Sequence, residues 1–242
     1  MNLPNLKHCK LCELHKSRTH VLLGEGDPQA DIMLIAQAPG ELEDRENQIF
    51  IGPSGQMLDR LFADCGIKRE NIYITNLLKC RLPQNRRPKQ WEIAACAIYL
   101  EAEIRLVQPR IVSPLGYYAT KYSFESRGLK PFTKADYPAL IGKAFPAGEL
   151  IIYPLSHPTS LIHHPEYYPA NVAYYKRLLH WEECKWYRVC PIKRFTEELS
   201  LDLHWADQYC LGDWQSCERF RQEEAGIAHP DSLLPDGSYL NK

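Results

Sequence analysis

Thiols, a basic loop and one histidine turn are the residues whose types and spacing suggest chemistry. Cys9 and Cys12 form a C-x2-C in "HCKLCEL"; Cys80 ends "TNLLKC", and Cys96 follows fifteen residues later in "EIAACAIYL". Four thiolates suffice for a tetrahedral zinc or a cubane iron–sulfur cluster, and spacing leaves the two open. The alternative for Cys80 and Cys96 is that they are inert buried thiols. A second set, Cys184, Cys190, Cys210 and Cys217, is separated by gaps of 5, 19 and 6 residues, unlike ordinary zinc knuckles. Its segment is too short to build its own core, so a staple is expected: a second metal site holding zinc or an iron–sulfur cluster. Cys65 reads as a core residue at a helix end.

The stretch "KCRLPQNRRPK" (79–89) carries five basic residues and no acidic one. Such a strip suits phosphates, with Arg86 and Arg87 as contacts, and its prolines hold it extended. A solvated surface loop is the plainer reading. "LSHPTSLIHH" (155–164) sets His157 before a proline, with an apolar Leu161-Ile162 pair that is either core or a wedge between base pairs. "IAQAPGELEDRENQIFIG" (35–52) ends a buried strand on Ala38-Pro39-Gly40, small residues that let something flat approach the backbone.

These pieces need elements to position them. DIMLIA (31–36), NIYITN (71–76), RIVSPLG (110–116) and LIIYPL (150–155) are continuous apolar runs, as in a parallel sheet covered on both faces. Between them, 54–66 places Met57, Leu58, Leu61 and Phe62 on one helical stripe, with Ser54 as N-cap and Gly66 as stop. A second helix spans 89–108, and another lies near 166–182, interrupted by Pro169. The β-α-β-α order predicts a doubly wound α/β domain, with ligands bound outside the carboxyl ends of its strands. The Ala-Pro-Gly tip, Asn76, Gly116 and the His157 loop all fall at such ends and should converge.

The chain of 242 residues is 45% hydrophobic, enough for a full core. No apolar run approaches a membrane span, and the N-terminal residues lack a signal-peptide core. An intracellular, cytoplasmic protein in a reducing compartment is expected, with no membrane association. The net charge of −1 hides an asymmetry: residues 1–195 carry 26 Lys and Arg against 20 Asp and Glu, the remainder 3 against 10. A basic body with an acidic tail hints at a polyanionic partner.

Four segments in order, "AQAPGELED", "IFIGPSGQML", "ITNLLKCRLPQNR" and "SHPTSLIH", together with the C-x2-C, resemble the family-four uracil-DNA glycosylases, the iron–sulfur branch of that superfamily. The corresponding family patterns are G-E-x-P-G-E-x-E-D, P-F-V-G-x-A-G-x-L-L, I-T-N-x-x-K-C-R-P-P-x-N-R and H-P-x-x-L-L-R, and the likeness runs over roughly residues 5–180. It implies a three-layer α/β/α fold around a central four-stranded parallel sheet in residues 1–183. Residues 184–242 would form a cysteine-rich acidic extension. It implies a 4Fe-4S cluster on Cys9, Cys12, Cys80 and Cys96, and uracil-containing DNA as the substrate of a monomeric enzyme. In that picture Phe50 stacks on the flipped uracil, Asn76 reads its O4 and N3 edge, and His157 donates to O2. Asn85 matches the asparagine of the basic loop, and Leu161 matches the intercalating leucine. Backbone N–H groups around Ala38 and Gly40 would bond the uracil oxygens.

Four positions depart from the pattern: Gln37 replaces a glutamate, Asn47 a glycine, Leu82 a proline and His163 an arginine. Gln37 cannot act as a general base, though its carbonyl can position a water. Glu41 and Asp44 either substitute for that carboxylate or cap the following turn. The leading reading is a monofunctional glycosylase leaving an abasic site in base-excision repair. The same fold acting on hypoxanthine, and a non-catalytic nucleic-acid-binding relative, are the alternatives.

Overall fold

The computed structural model describes residues 6–179, 184–187, 189–198, 200–202 and 204–240. The chain forms two compact units, Met1–Lys176 and Arg177–Lys242. The boundary expected at residue 183 lies outside the described residues.

The first unit is built on six strands: β1 (Glu25–Gly26), β2 (Ile32–Ala36), β3 (Tyr73–Asn76), β4 (Ile111–Pro114), β5 (Phe145–Ala147) and β6 (Leu150–Ile152). They pair in the order β1-β3-β2-β4-β6-β5. The four inner strands are the four apolar runs, and they are parallel. The sheet is larger than the four strands expected, because short antiparallel strands β1 and β5 close its edges. Met33 and Ile35 of β2 face a core shared with Ile93, Leu100 and Ile104. Their alternates Leu34 and Ala36 are equally buried on the opposite face. A strand buried on both sides has no polar period to show, which is why these runs read as continuous.

The connecting helices are α1 (Glu41–Glu46), α2 (Pro53–Cys65), α3 (Gln90–Val107), α4 (Tyr117–Ser126), α5 (Pro158–His163) and α6 (Tyr168–Leu179). Leu58, Leu61 and Phe62 of α2 are buried as expected of their stripe, and Gly66 ends the helix with φ 71°. Ser54 is not the cap. Gly52 holds that position with Pro53 as first helical residue, and the Ser54 hydroxyl lies 2.7 Å from Thr159 Oγ1 of α5. Pro169 stands in the first turn of α6, where a missing N–H costs no helical bond, so it does not interrupt the helix. Cys65 is half-buried at the end of α2, its Sγ 3.5 Å from the Val172 carbonyl.

The second unit contains α7 (Pro191–Glu197), a π-helical turn at Ala206–Cys210 and α8 (Glu218–Glu224). Buried Arg219 donates to the carbonyls of Pro230, Asp231 and Leu233 and so fixes the loop after α8. Among the described residues, no helix is long and apolar enough to cross a membrane.

Candidate active site

The chain leaves β2 at Ala36, which pairs in register with Asn76 at the end of β3. The Leu77 and Leu78 amides then donate to the carbonyls of Ala36 and Gln37 at 2.7 and 3.0 Å, which locks the two strand ends together. A cleft of about 710 Å³ opens there, at the carboxyl ends of the parallel strands. It is lined by Gln37, Ala38, Gly40, Phe50, Asn76, Asn85 and His157, so seven residues singled out from sequence share one cavity.

Asn76 is buried, and its side-chain amide has no protein partner among the described residues. A buried amide is costly to leave unpaired, so this one is placed for a ligand. Phe50 is buried with φ 52°, a left-handed conformation that costs a bulky residue energy. Two features hold it. Arg69 donates to the carbonyls of Ile49 and Phe50 at 2.5 and 3.2 Å, and Gly55 leaves room for the turn. A Cβ at Gly55 would sit 1.8 Å from the Phe50 carbonyl oxygen. Asn47 adopts the left-handed geometry (φ 54°) expected of a glycine substitute, as the cap ending α1.

His157 caps α5, its Nδ1 accepting the Thr159 backbone N–H at 3.2 Å. A backbone amide can only donate, so Nδ1 is bare and the ring proton sits on Nε2, the nitrogen left for the cleft. Burial lowers the His157 pKa to about 4, which keeps the imidazole neutral at physiological pH.

The acids of the "ELED" run separate into three roles. Glu41 is exposed and pairs with Arg81 at 2.7 Å. Asp44 is buried, accepting the Thr19 and His20 amides at 2.9–3.0 Å, so it ties down the N-terminal segment rather than serving the cleft. Glu43 was not singled out by sequence, yet it is buried and lines the cleft. Its Oε1 accepts the Gly52 N–H at 2.8 Å, and its Oε2 lies 2.4 Å from where a Cβ on Gly40 would stand. Gly40 is therefore needed for the carboxylate to fold back over the loop. The available signal was the spacing, since Glu43 is the third residue of α1, three after the Gly40 cap.

Three expectations about nucleic-acid contacts change. Leu161 is only 1% exposed and belongs to the core, whereas its neighbour Ile162 is 41% exposed and lines the cleft. Arg86 forks onto the buried carboxylate of Glu92 at 2.5 and 2.9 Å, so its charge is engaged within the protein. Lys79 of the same basic strip is wholly buried, paired with Glu103 and donating to the Asn76 carbonyl at 2.8 Å. Nor is the strip extended throughout, because Pro83–Asn85 form a 3-10 turn in which Gln84 and Asn85 have φ 53°. Arg87 and Lys89 are left exposed beside the cleft's Asn85.

Cys9, Cys12, Cys80 and Cys96 line one small cavity with Leu6, Arg18 and Tyr99. Two of the sulfurs accept hydrogen bonds, Cys80 from Arg18 Nη1 at 3.2 Å and Cys96 from the Lys79 amide at 3.3 Å. Burial pushes the Cys96 thiol up to about 12 and raises Cys80 as well. Among the described residues no group of three or more His, Cys, Asp or Glu side chains is drawn together to hold a metal ion.

A doubly wound sheet with this cleft at its strand ends is the arrangement of the uracil DNA glycosylase superfamily, whose model matches residues 23–181; the chain belongs to that family. Its similarity is to the type-4 branch. It is 38% identical over 160 residues to the type-4 uracil-DNA glycosylase of Sulfurisphaera tokodaii, covering 65% of this chain and 72% of that protein. It is 36% identical over 165 residues to that of Saccharolobus solfataricus, with 66% and 75% covered. The counterpart from Archaeoglobus fulgidus is 31% identical over 159 residues, with 65% and 80% covered.

Proposed function

We propose that this chain is a uracil-DNA glycosylase that hydrolyses the N-glycosidic bond of uracil in DNA, leaving an abasic site for base-excision repair. The observation that carries this reading is the buried, unpartnered Asn76 amide in a cleft shared with Phe50 and His157. An amide carries both donor and acceptor, and in one orientation it matches O4 and N3–H of uracil, whereas cytosine's reversed pattern requires the amide to turn over. A base reaches such a cleft only after leaving the duplex, at a cost of a few kcal/mol that stacking on Phe50 helps to offset.

As the glycosidic bond breaks, charge moves onto the uracil ring. The neutral His157 donates from Nε2 to O2 and stabilises that charge where it develops. On the sugar side, Glu43 is the buried carboxylate of the cleft, and we assign it to orient the attacking water, with the Gln37 amide beside it as a second polar contact. The chain places no lysine in the cleft lining, consistent with hydrolysis rather than a Schiff-base route. Ile162, not Leu161, takes the place of the apolar wedge, and Arg87 is the phosphate contact of the loop.

The four thiols of the first unit suit a 4Fe-4S cluster in number, common cavity and hydrogen bonds to sulfur. Such a cluster would join the N-terminal segment, the basic loop and α3. It enters no step of the hydrolysis derived above.

The test is a substrate panel on anaerobically purified protein: uracil and hypoxanthine in single- and double-stranded oligonucleotides. Release of uracil with formation of an alkali-labile abasic site is expected. Binding of every uracil oligonucleotide without release would replace the enzyme reading with a binding one, and release confined to hypoxanthine would change the base.

The two arginines should separate cleanly. Arg87→Ala is expected to weaken DNA binding uniformly across sequences and to reduce the salt slope by about one. Arg86→Ala should instead lower the melting temperature, because it strands the buried Glu92 carboxylate. Equal loss of salt slope in both variants, with unchanged melting, would return Arg86 to the phosphate-binding role.

A further inference from the structure

We infer that the second unit holds an iron–sulfur cluster of its own, ligated by Cys184, Cys190, Cys210 and Cys217. All four thiols are free of disulfides and line a single cavity, although they come from segments spread over 34 positions of sequence. The walls between them are apolar and aromatic, with Trp186, Ile192 and Trp214 among them.

The backbone is arranged around the sulfurs. The Cys184 carbonyl accepts the Tyr187 amide at 2.8 Å, the Cys190 carbonyl the Lys193 amide at 3.1 Å and the Cys217 carbonyl the Arg221 amide at 3.1 Å, so a turn follows each of these three thiols. The Cys184 amide donates to the Cys210 carbonyl at 2.8 Å, which joins the segment carrying the first thiol to the one carrying the third. Three of the four thiols are buried, and no histidine lines the cavity they share.

The room in the cavity that the thiols share favours a cluster over a single ion. The cavity measures about 60 Å³. A tetrahedral zinc, with Zn–S bonds of about 2.3 Å, draws its four sulfurs almost into contact and leaves no void among them. A core of iron and bridging sulfide needs space of its own within the thiolate frame. A cluster also answers a deficit. The buried apolar side chains of this unit are few, among them Leu178, Ile192, Leu211, Leu233 and Leu234, and so small a core is ordinarily held by a metal or by disulfides.

The test counts iron, acid-labile sulfide and zinc in the full chain purified anaerobically. About eight iron and eight sulfide per chain are expected if both thiol sets carry cubane clusters. Cys190→Ser/Cys217→Ser should halve the iron while uracil excision persists, and Cys80→Ser/Cys96→Ser should remove the other half. Iron lost only from the Cys190/Cys217 variant would uphold this cluster and remove the one in the first unit. Three results would overturn the inference: wild-type iron of about four that the Cys190/Cys217 variant keeps; one zinc per chain that this variant loses; or no metal in the second unit. The wild-type count needs no variant to fold.

Discussion

Alanine at position 157 is expected to lower the single-turnover rate of uracil excision by about 100- to 1,000-fold, with DNA binding little changed. A donor fixed before the reaction and aimed at a developing anion in a dry site is typically worth about 3–4 kcal/mol. The loss should fall on kcat, because the interaction grows only as the bond breaks. His157 also makes a prediction about pH. Its pKa is lowered to about 4 by burial, so the neutral Nε2–H donor persists from there upward. The rate should show no inflection near 6.5, the ordinary histidine value, and a loss of rate on crossing 6.5 in either direction would show that the imidazole titrates freely. Below about 4, protonation of Nδ1 would break its bond from the Thr159 amide and displace the ring.

The second large effect is expected at Glu43. Glu43→Gln should slow excision by about 100-fold or more, the scale of a lost general base or water-orienting carboxylate. The substitution is informative because the glutamine carbonyl can still accept the Gly52 N–H, so the loop is preserved and only the charge is removed. Gln37→Ala should cost much less, since a neutral amide only helps to place the water. Gln37→Glu should then be nearly silent, as Glu43 already supplies the carboxylate. If Gln37→Glu raised the rate severalfold while Glu43→Gln left it flat, the water-orienting role would belong at position 37. Melting temperatures measured alongside would show whether either change acts through the fold.

The parallel sheet was legible because its strands are short and apolar throughout, and α2 because its stripe and its glycine stop are conventional, whereas α1, α4 and α5 went unread. The edge strands were not. β1 is two exposed residues, and β5 is a half-buried Phe-Pro-Ala, so neither carries a period. The cleft itself was legible from strand ends, which is where Gln37, Asn76 and His157 stand. What sequence could not resolve was which of several like residues faces inward. In "ELED", three acids in four positions take three different directions on one short helix. Leu161 and Ile162 are chemically alike, and only the packing of α5 decides that the first is buried and the second exposed. Arg86 and Lys79 looked free because their partners, Glu92 and Glu103, lie on the next helix and are themselves buried.

Lys79 joins two regions that a reading by motif keeps apart. Its ammonium holds the Asn76 carbonyl and the Thr75 hydroxyl, while its amide bonds the Cys96 sulfur. Leu77 and Leu78, just before it, are bonded to the end of β2. The amides of residues 77–79 are thus all bonded within the buried core, and their hydrogen exchange is expected to require opening of the sheet rather than fluctuation of a loop. Asn76, the side chain proposed to read the base, directly precedes that segment, whereas Asn85 comes from a 3-10 turn and Ile162 from the exposed side of α5. On the proposed reading, recognition of the base edge would be as durable as the fold itself, and adaptation to different stretches of DNA would be left to the rim.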